Sequence, residues 1–189
     1  MSTMPWRGEL LSLDDWDAMP EDSQRYELVE GVPQVVPSPG TAHQLALPQL
    51  WVQLGRQLPA DLVALMDIDV LISARPATLR RPDLIVVPSS VVETKPVRYR
   101  ANDVLLAVEI VSPGSMRADN VNKLDEYAEA GIANYWIIDQ RPPMSLCAYQ
   151  LIEGNYELDQ EESGTVEFVS PSPMKIDLAA LTSLRPPAE

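Results

Sequence analysis

Two apolar runs dominate the hydrophobic pattern. Leu84-Ile85-Val86-Val87 and Leu105-Leu106-Ala107-Val108-Glu109-Ile110-Val111 are continuous enough to be strands buried on both faces. The second, taken over residues 104–111, is the most apolar run in the chain and is expected to be the central strand. The first is read as part of one strand over 78–87 that ends at Pro88. Upstream, residues 26–29 and 32–36 read as strands around a tight Glu30-Gly31 turn, with Pro33 marking an edge. A helix is expected from Thr41, which has capping-box spacing to Gln44; Leu47, Leu50, Trp51, Leu54 and Leu58 recur at helical spacing around Pro48. Residues 62–66 and 69–73 add short strands, and 89–102 reads as an exposed connection. Residues 117–130 carry a stripe of Leu124, Tyr127 and Ala128 and should form a helix stopped at Gly131. Strands follow over 134–138, 145–151 and 156–158, the last two joined by a Glu153-Gly154-Asn155 turn. Residues 165–169 read as an edge strand, and a short helix is expected near 178–184.

Ahead of these elements, residues 1–24 are acidic and mixed, with Ser12 placed to cap a short helix holding Leu13 and Trp16. They read as an N-terminal arm on a single domain over 25–189. Leu11, Leu13 and Trp16 would cost free energy in water unless covered, so a homodimer built partly from the arm or from an edge strand is expected.

Composition then bounds this picture. The chain has 189 residues and 46% hydrophobic content, enough for one domain with a core. Its formal net charge of -14 favours solubility and repels nucleic acid at long range, which weighs against a nucleic-acid partner. One cysteine, Cys147, and one histidine, His43, exclude an internal disulfide and a zinc site built from His and Cys. No run approaches the roughly 20 apolar residues of a membrane span, and residues 1–9 do not look like a secretory signal. A cytoplasmic protein without membrane contact is expected.

Candidate chemistry sits in the two apolar runs. Asp83 opens one and Glu109 interrupts the other. A buried carboxylate needs a partner, and two on neighbouring strands can share a divalent cation. The bland alternative leaves each at a strand end, solvated or paired with an arginine such as Arg81. Lys123 lies on the following helix, where a lysine is usually a solvated charge. Glu30 in a turn and His43 in a first helical turn are unremarkable by themselves. A glycine-rich phosphate loop and a serine nucleophile elbow are both missing.

Taken in order, several segments resemble a known family. They are Tyr26-Glu27-Leu28-Val29-Glu30-Gly31, Pro37-Ser38-Pro39 with His43, Arg81-Pro82-Asp83, Val108-Glu109-Ile110-Val111-Ser112-Pro113, Lys123-Leu124-Asp125-Glu126-Tyr127, Ala130-Gly131-Ile132 and Tyr135-Trp136-Ile137-Ile138-Asp139. Over residues 10–156 the chain is similar to the Uma family of restriction-endonuclease-like proteins, within the PD-(D/E)XK nuclease superfamily. The resemblance implies an α/β (α+β) fold with a central mixed sheet flanked by helices, commonly dimeric, with a Mg²⁺ site. It implies that Asp83 and Glu109 are the acidic pair and that Lys123 is the superfamily lysine moved to the next helix, because Val111 stands at the usual lysine position. Glu30 matches the first acidic residue, and His43 the histidine at the helix start.

The function expected on these grounds is Mg²⁺-dependent hydrolysis of phosphodiester bonds in DNA, with Mn²⁺ as a substitute ion. Asp83, Glu109, the Ile110 carbonyl and Glu30 would hold the metal, and Lys123 would act on water or phosphate. Arg75, Arg80, Arg81, Lys95, Arg98, Arg100 and Arg117 would form a positive rim. The alternative is a catalytically inactive interaction module that kept the nuclease fold, supported by the net charge and the lack of a dense basic stripe.

Overall fold

A computed structural model describes residues 8–20, 25–111 and 117–184, with side chains omitted over 117–121. Ser112 and Pro113 of the strand-ending motif therefore lie outside the described residues, as does the Arg117 side chain.

The arm forms α1 (Leu13–Asp17), capped by Ser12 and Asp15 in a reciprocal capping box. The chain continues through β1 (Arg25–Val29), β2 (Val32–Val36), α2 (Thr41–Gly55), β3 (Leu62–Met66), β4 (Val70–Ala74), β5 (Ala77–Arg80), β6 (Leu84–Pro88) and α3 (Ser89–Glu93). It then forms β7 (Tyr99–Arg100), β8 (Leu106–Val111), α4 (Arg117–Glu129), β9 (Asn134–Asp139), β10 (Ser145–Ile152), β11 (Asn155–Ser163), β12 (Thr165–Phe168) and β13 (Met174–Asp177). A 3-10 turn at Ala179–Thr182 takes the place of the short helix expected near the end.

The six-stranded sheet has the order β11-β10-β9-β8-β6-β3, and a five-stranded sheet has the order β2-β1-β5-β4-β7. In the larger sheet β8 runs parallel to β9 and antiparallel to β6, so it is mixed, with β8 inside as its apolar run demands. Strand alternation divides the core between its two faces. Leu84, Val86, Leu106, Val108 and Ile110 face α2 and the β12–β13 hairpin, where Trp136 stacks on Phe168 at 4.0 Å between ring centroids. Ile85, Val87 and Ala107 pack with Tyr127, Ile132 and Tyr135 on the other side, beneath α4. Glu109 shares this second face by alternation with Ala107.

The expected strand over 78–87 is in fact two strands in two different sheets. Pro82 has no N–H to give a ladder, and the Arg81 N–H donates to Glu27 Oε1 at 3.0 Å. The chain crosses between the sheets at residues 81–83. Residues 89–102 are likewise more than an exposed connection, because they include α3 and β7, and Tyr99 and Ala101 are buried. The α2 cap also differs from expectation. Thr41 is already helical, so the Gly40 carbonyl accepts from the Gln44 N–H at 3.1 Å and no side chain caps the helix.

Glu30 and Gly31 take positive φ values of 49° and 80°, the conformation a two-residue hairpin turn needs. Gly31 also receives the arm. Its carbonyl accepts from the Leu11 N–H at 2.8 Å, and a Cβ there would lie 2.9 Å from that of Leu10. Leu11, Leu13 and Trp16 pack on Leu28, Ala77 and Leu79 of their own chain. The apolar arm is covered without a second subunit, which removes the reason for expecting a dimer through it. No described helix is long and apolar enough to cross a membrane.

Candidate functional site

The crossing at residues 81–83 brings the charged groups of both sheets together. Leu84 pairs with Val108, so one step outward Asp83 lies beside Glu109. Asp83 Oδ2 accepts from the Ile110 N–H at 2.7 Å, which fixes the carboxylate against β8. Its Oδ1 meets His43 Nε2 at 3.1 Å, and His43 Nδ1 lies 3.2 Å from the Ile110 carbonyl oxygen. α2 supplies the histidine because Ala46, Leu47, Leu50 and Leu54 bury its apolar stripe on the same face as Ile110.

The other face of β8 holds Glu109 and α4. Lys123 Nζ donates to Glu109 Oε1 at 3.0 Å, and the Tyr127 hydroxyl donates to the same oxygen at 3.1 Å. The i, i+4 spacing on α4 puts both donors on one side of the helix. Lys123 Nζ also lies 3.2 Å from Glu27 Oε1 on β1. Glu27 Oε2 accepts from Arg80 Nη1 at 2.8 Å, and Arg80 makes a two-pronged pair with Glu126 at 2.7 Å on each arm. Glu27, Arg80, Glu109 and Lys123 are all buried, so this is an ionic network held out of water.

Electrostatics follows from that network. Burial pushes the Glu109 carboxyl up to about 7; Lys123 opposes the rise, while Asp83 and Glu27 reinforce it. Burial also pushes Glu27 up, but Lys123, Arg80 and the Arg81 N–H outweigh it and hold Glu27 below its ordinary value. Burial would lower His43, yet the Asp83 carboxylate and the Ile110 carbonyl outweigh it and raise the imidazole.

Of the residues singled out in the sequence, Asp83 and His43 meet at Ile110, and Glu109 and Lys123 pair on the other face of β8. Glu30 does not join them. It is exposed in the β1–β2 turn, on a separate cleft of about 310 Å³ lined also by Thr78, Glu126 and Glu129. The acidic group on β1 that reaches the site is Glu27, three residues earlier. In the sequence it reads as an outward strand position, and only its pairing with Arg80 on β5 marks it. Arg80 in turn is buried beneath these carboxylates and cannot belong to a surface rim. Arg81 pairs with Asp69 and Arg98 with Asp17, leaving Arg75, Lys95 and Arg100 exposed.

Among the described residues no three Asp, Glu, His or Cys side chains form a ready ligand set for a metal. Asp83, Glu109 and the Ile110 carbonyl stand at neighbouring positions on β8 and the segment entering β6, and all three offer hard oxygen donors. That set fits Mg²⁺ or Mn²⁺, ions that bind through one or two carboxylates and keep several waters.

Comparison with known proteins agrees with this architecture. A crystal structure titled as a putative nuclease belonging to DUF820, from Anabaena variabilis ATCC 29413, superposes with a TM-score of 0.66. The two share 17% identity over 91% of this chain and 97% of that one, so the likeness is one of fold. No curated protein matches the sequence. The family model described as "Putative restriction endonuclease" matches residues 13–181, a span that takes in both sheets, the sheet crossing and α4, and the chain belongs to that family, Uma2.

Proposed function

We propose that this chain is a divalent-metal-dependent nuclease that hydrolyses phosphodiester bonds of DNA. The observation that supports the proposal is the β6–β8 register that sets Asp83 beside Glu109, with the Ile110 N–H donating to Asp83 and the Lys123 ammonium to Glu109. Asp83 and Glu109, with the Ile110 carbonyl, would hold the cation. When bound, such an ion supplies Lewis acidity and positive charge beside a phosphate. Lys123, held by Glu27 and Glu109, keeps an ammonium at the place where negative charge develops during phosphoryl transfer. Tyr127 fixes the Glu109 rotamer through Oε1. Burial of these groups strengthens each of these interactions relative to water.

The second reading, an inactive interaction module, is favoured by one observation. Each site carboxylate already has a protein partner: Asp83 with His43, Glu109 with Lys123, Glu27 with Arg80. A melting-temperature series with and without Mg²⁺, run beside cleavage of plasmid DNA, separates the two. The nuclease reading expects Mg²⁺ to raise the melting temperature by mass action and Asp83→Asn or Glu109→Gln to abolish both that rise and cleavage. Lys123→Ala should keep the Mg²⁺ response and lose cleavage by about 10²–10³-fold, the usual loss for a charge-stabilising group. Full Mg²⁺ stabilisation in Asp83→Asn would make the carboxylates structural and select the module.

A further inference from the structure

The end of the larger sheet that holds Asp83 and Glu109 is bordered by two arginines, each tied to an aspartate. On the β3 side, Asp67 follows Met66, which pairs with Leu84, and the Asp67 N–H donates to the Asp83 carbonyl at 3.1 Å. Its carboxylate accepts from Arg25 Nη2. Arg25 lies two positions before Glu27 on β1, so alternation puts it on the side of that strand from which Glu27 meets Lys123. On the β9 side, Asp139 pairs with Val111 of β8, two positions beyond the Glu109–Ile137 pair, and so shares the face of Glu109. Asp139 Oδ2 accepts from Arg141 Nε at 2.8 Å and also from Nη2, and Oδ1 accepts from the Arg141 backbone N–H at 2.9 Å. Both guanidinium groups reach solvent: the Arg141 side chain is 64% exposed and that of Arg25 33%. An arginine carries five N–H donors, and in both residues Nη1 makes no hydrogen bond among the described residues.

The strands carrying these groups are consecutive in the sheet, in the order β9-β8-β6-β3. Three strand spacings of about 4.8 Å, with a two-residue step of about 7 Å along the strand, set the two anchoring aspartates roughly 15 Å apart. Nucleotides of one B-form strand rise about 3.4 Å each, so this distance spans about four to five of them, with Asp83 and Glu109 between the ends. We propose that Arg25 and Arg141 are the outer phosphate contacts of a DNA strand laid along this line of strand ends. The proposal rests on the nuclease reading above and names where the substrate backbone is held. Each aspartate gives its guanidinium a fixed direction and leaves Nη1 for a phosphate oxygen. Charges more than about 8 Å apart are largely screened at physiological salt, so contacts along the track act despite the net charge of -14.

The test is fluorescence anisotropy of a labelled DNA duplex with the wild-type chain, Arg25→Gln, Arg141→Gln and the double variant, in Ca²⁺ and from about 50 to about 200 mM KCl. Ca²⁺ takes oxygen ligands, and binding is read without any need for cleavage. A phosphate contact contributes about 0.9 to the slope of log affinity against log salt, so each single variant should lose about 0.9 and the double variant about 1.8. Arg141→Lys keeps the charge while giving up the fork on Asp139, and should keep the wild-type slope. Arg56→Gln removes the same charge at the far end of α2, about 20 Å from His43 at about 1.5 Å per residue, and should leave the slope unchanged. A wild-type slope in the double variant, or an equal fall in Arg56→Gln, would overturn the track and leave the nuclease reading standing. So would a fall in Arg141→Lys as large as in Arg141→Gln, the mark of a purely structural pair. A wild-type chain that does not bind the duplex in Ca²⁺ would overturn the DNA reading and the track with it.

Discussion

Glu27 shows what a single buried charge does in this fold. It accepts from Arg80 and from the Arg81 N–H and shares Lys123 with Glu109, all in a region closed to solvent. Its carboxyl is held below the ordinary glutamate value in the folded chain. The unfolded chain therefore binds the proton first as pH falls, and folding gains from the ionised form above the usual glutamate range. That gain is lost as pH drops through the ordinary value toward the lower, folded one. Glu27→Gln should flatten this acid limb in melting temperature measured from pH 6 to pH 3, and Glu27→Ala should cost about 3 kcal/mol at neutral pH, since it strands part of a buried pair. An unchanged acid limb in Glu27→Gln would show that other carboxylates set it. At this scale the sequence was legible where a charge interrupted an apolar run. Asp83 and Glu109 stand out against their neighbours, as does the histidine that occurs once. Glu27 sits between Tyr26 and Leu28 and looks like the outward position of a half-buried strand. Only α4, whose Lys123 and Glu126 close over Glu27 and its cross-strand neighbour Arg80, turns that position inward.

Between elements, side chains stand in for backbone at an open edge. Gln53 and Gln57, one turn apart on α2, each pair their amide with a residue of β13. Gln53 accepts from the Asp177 N–H at 2.8 Å and donates to its carbonyl at 3.0 Å. Gln57 accepts from the Lys175 N–H and donates to the Lys175 carbonyl, both at 2.8 Å. The i, i+4 step of the helix matches the i, i+2 step of a strand, so two glutamines complete half a ladder. They clamp the hairpin that lays Phe168, Met174 and Ile176 over Trp136. The double variant Gln53→Ala, Gln57→Ala should lose about 2 kcal/mol, given about 1 kcal/mol for a typical net bond and discounting for solvent exposure. Hydrogen exchange should accelerate at the Lys175 and Asp177 amides before it does in β8; uniform exchange across both would count against a local clamp. The elements themselves followed from period and punctuation. The β1–β2 turn, the β10–β11 turn, the central strand and the Gly131 stop lie where local chemistry puts them. What local pattern did not carry was partnership. The run over 78–87 reads as one strand by periodicity, and only the tertiary role of Asp83 and Pro82 divides it between two sheets.

The whole molecule carries a net charge of -14 around a site that would meet a polyanion. Its exposed cations among the described residues, Arg56, Arg75, Lys95, Arg100, Arg141 and Lys175, stand among a larger number of exposed carboxylates, so long-range steering toward DNA would be weak. The arm matters at the same scale. Leu11, Leu13 and Trp16 close the apolar cluster of Leu28, Ala77 and Leu79, and that cluster lies on the strands carrying Glu27 and Arg80. The arm thus covers the back of the ionic network as well as its own apolar surface. Deleting residues 1–24 uncovers this patch on a sheet whose outer strand, β2, already exposes Val35. Fully burying a leucine-sized side chain contributes roughly 2 kcal/mol and these three are half-buried, so losing them should lower the melting temperature by roughly 6–12 °C. The uncovered patch, next to an unpaired strand edge, favours self-association. Light scattering of the truncated chain at micromolar concentration should therefore give a larger mass than the full-length chain under the same conditions. An unchanged mass together with an unchanged melting temperature would mean that the arm is not a structural cover, and its apolar residues would again be available for pairing with a second subunit.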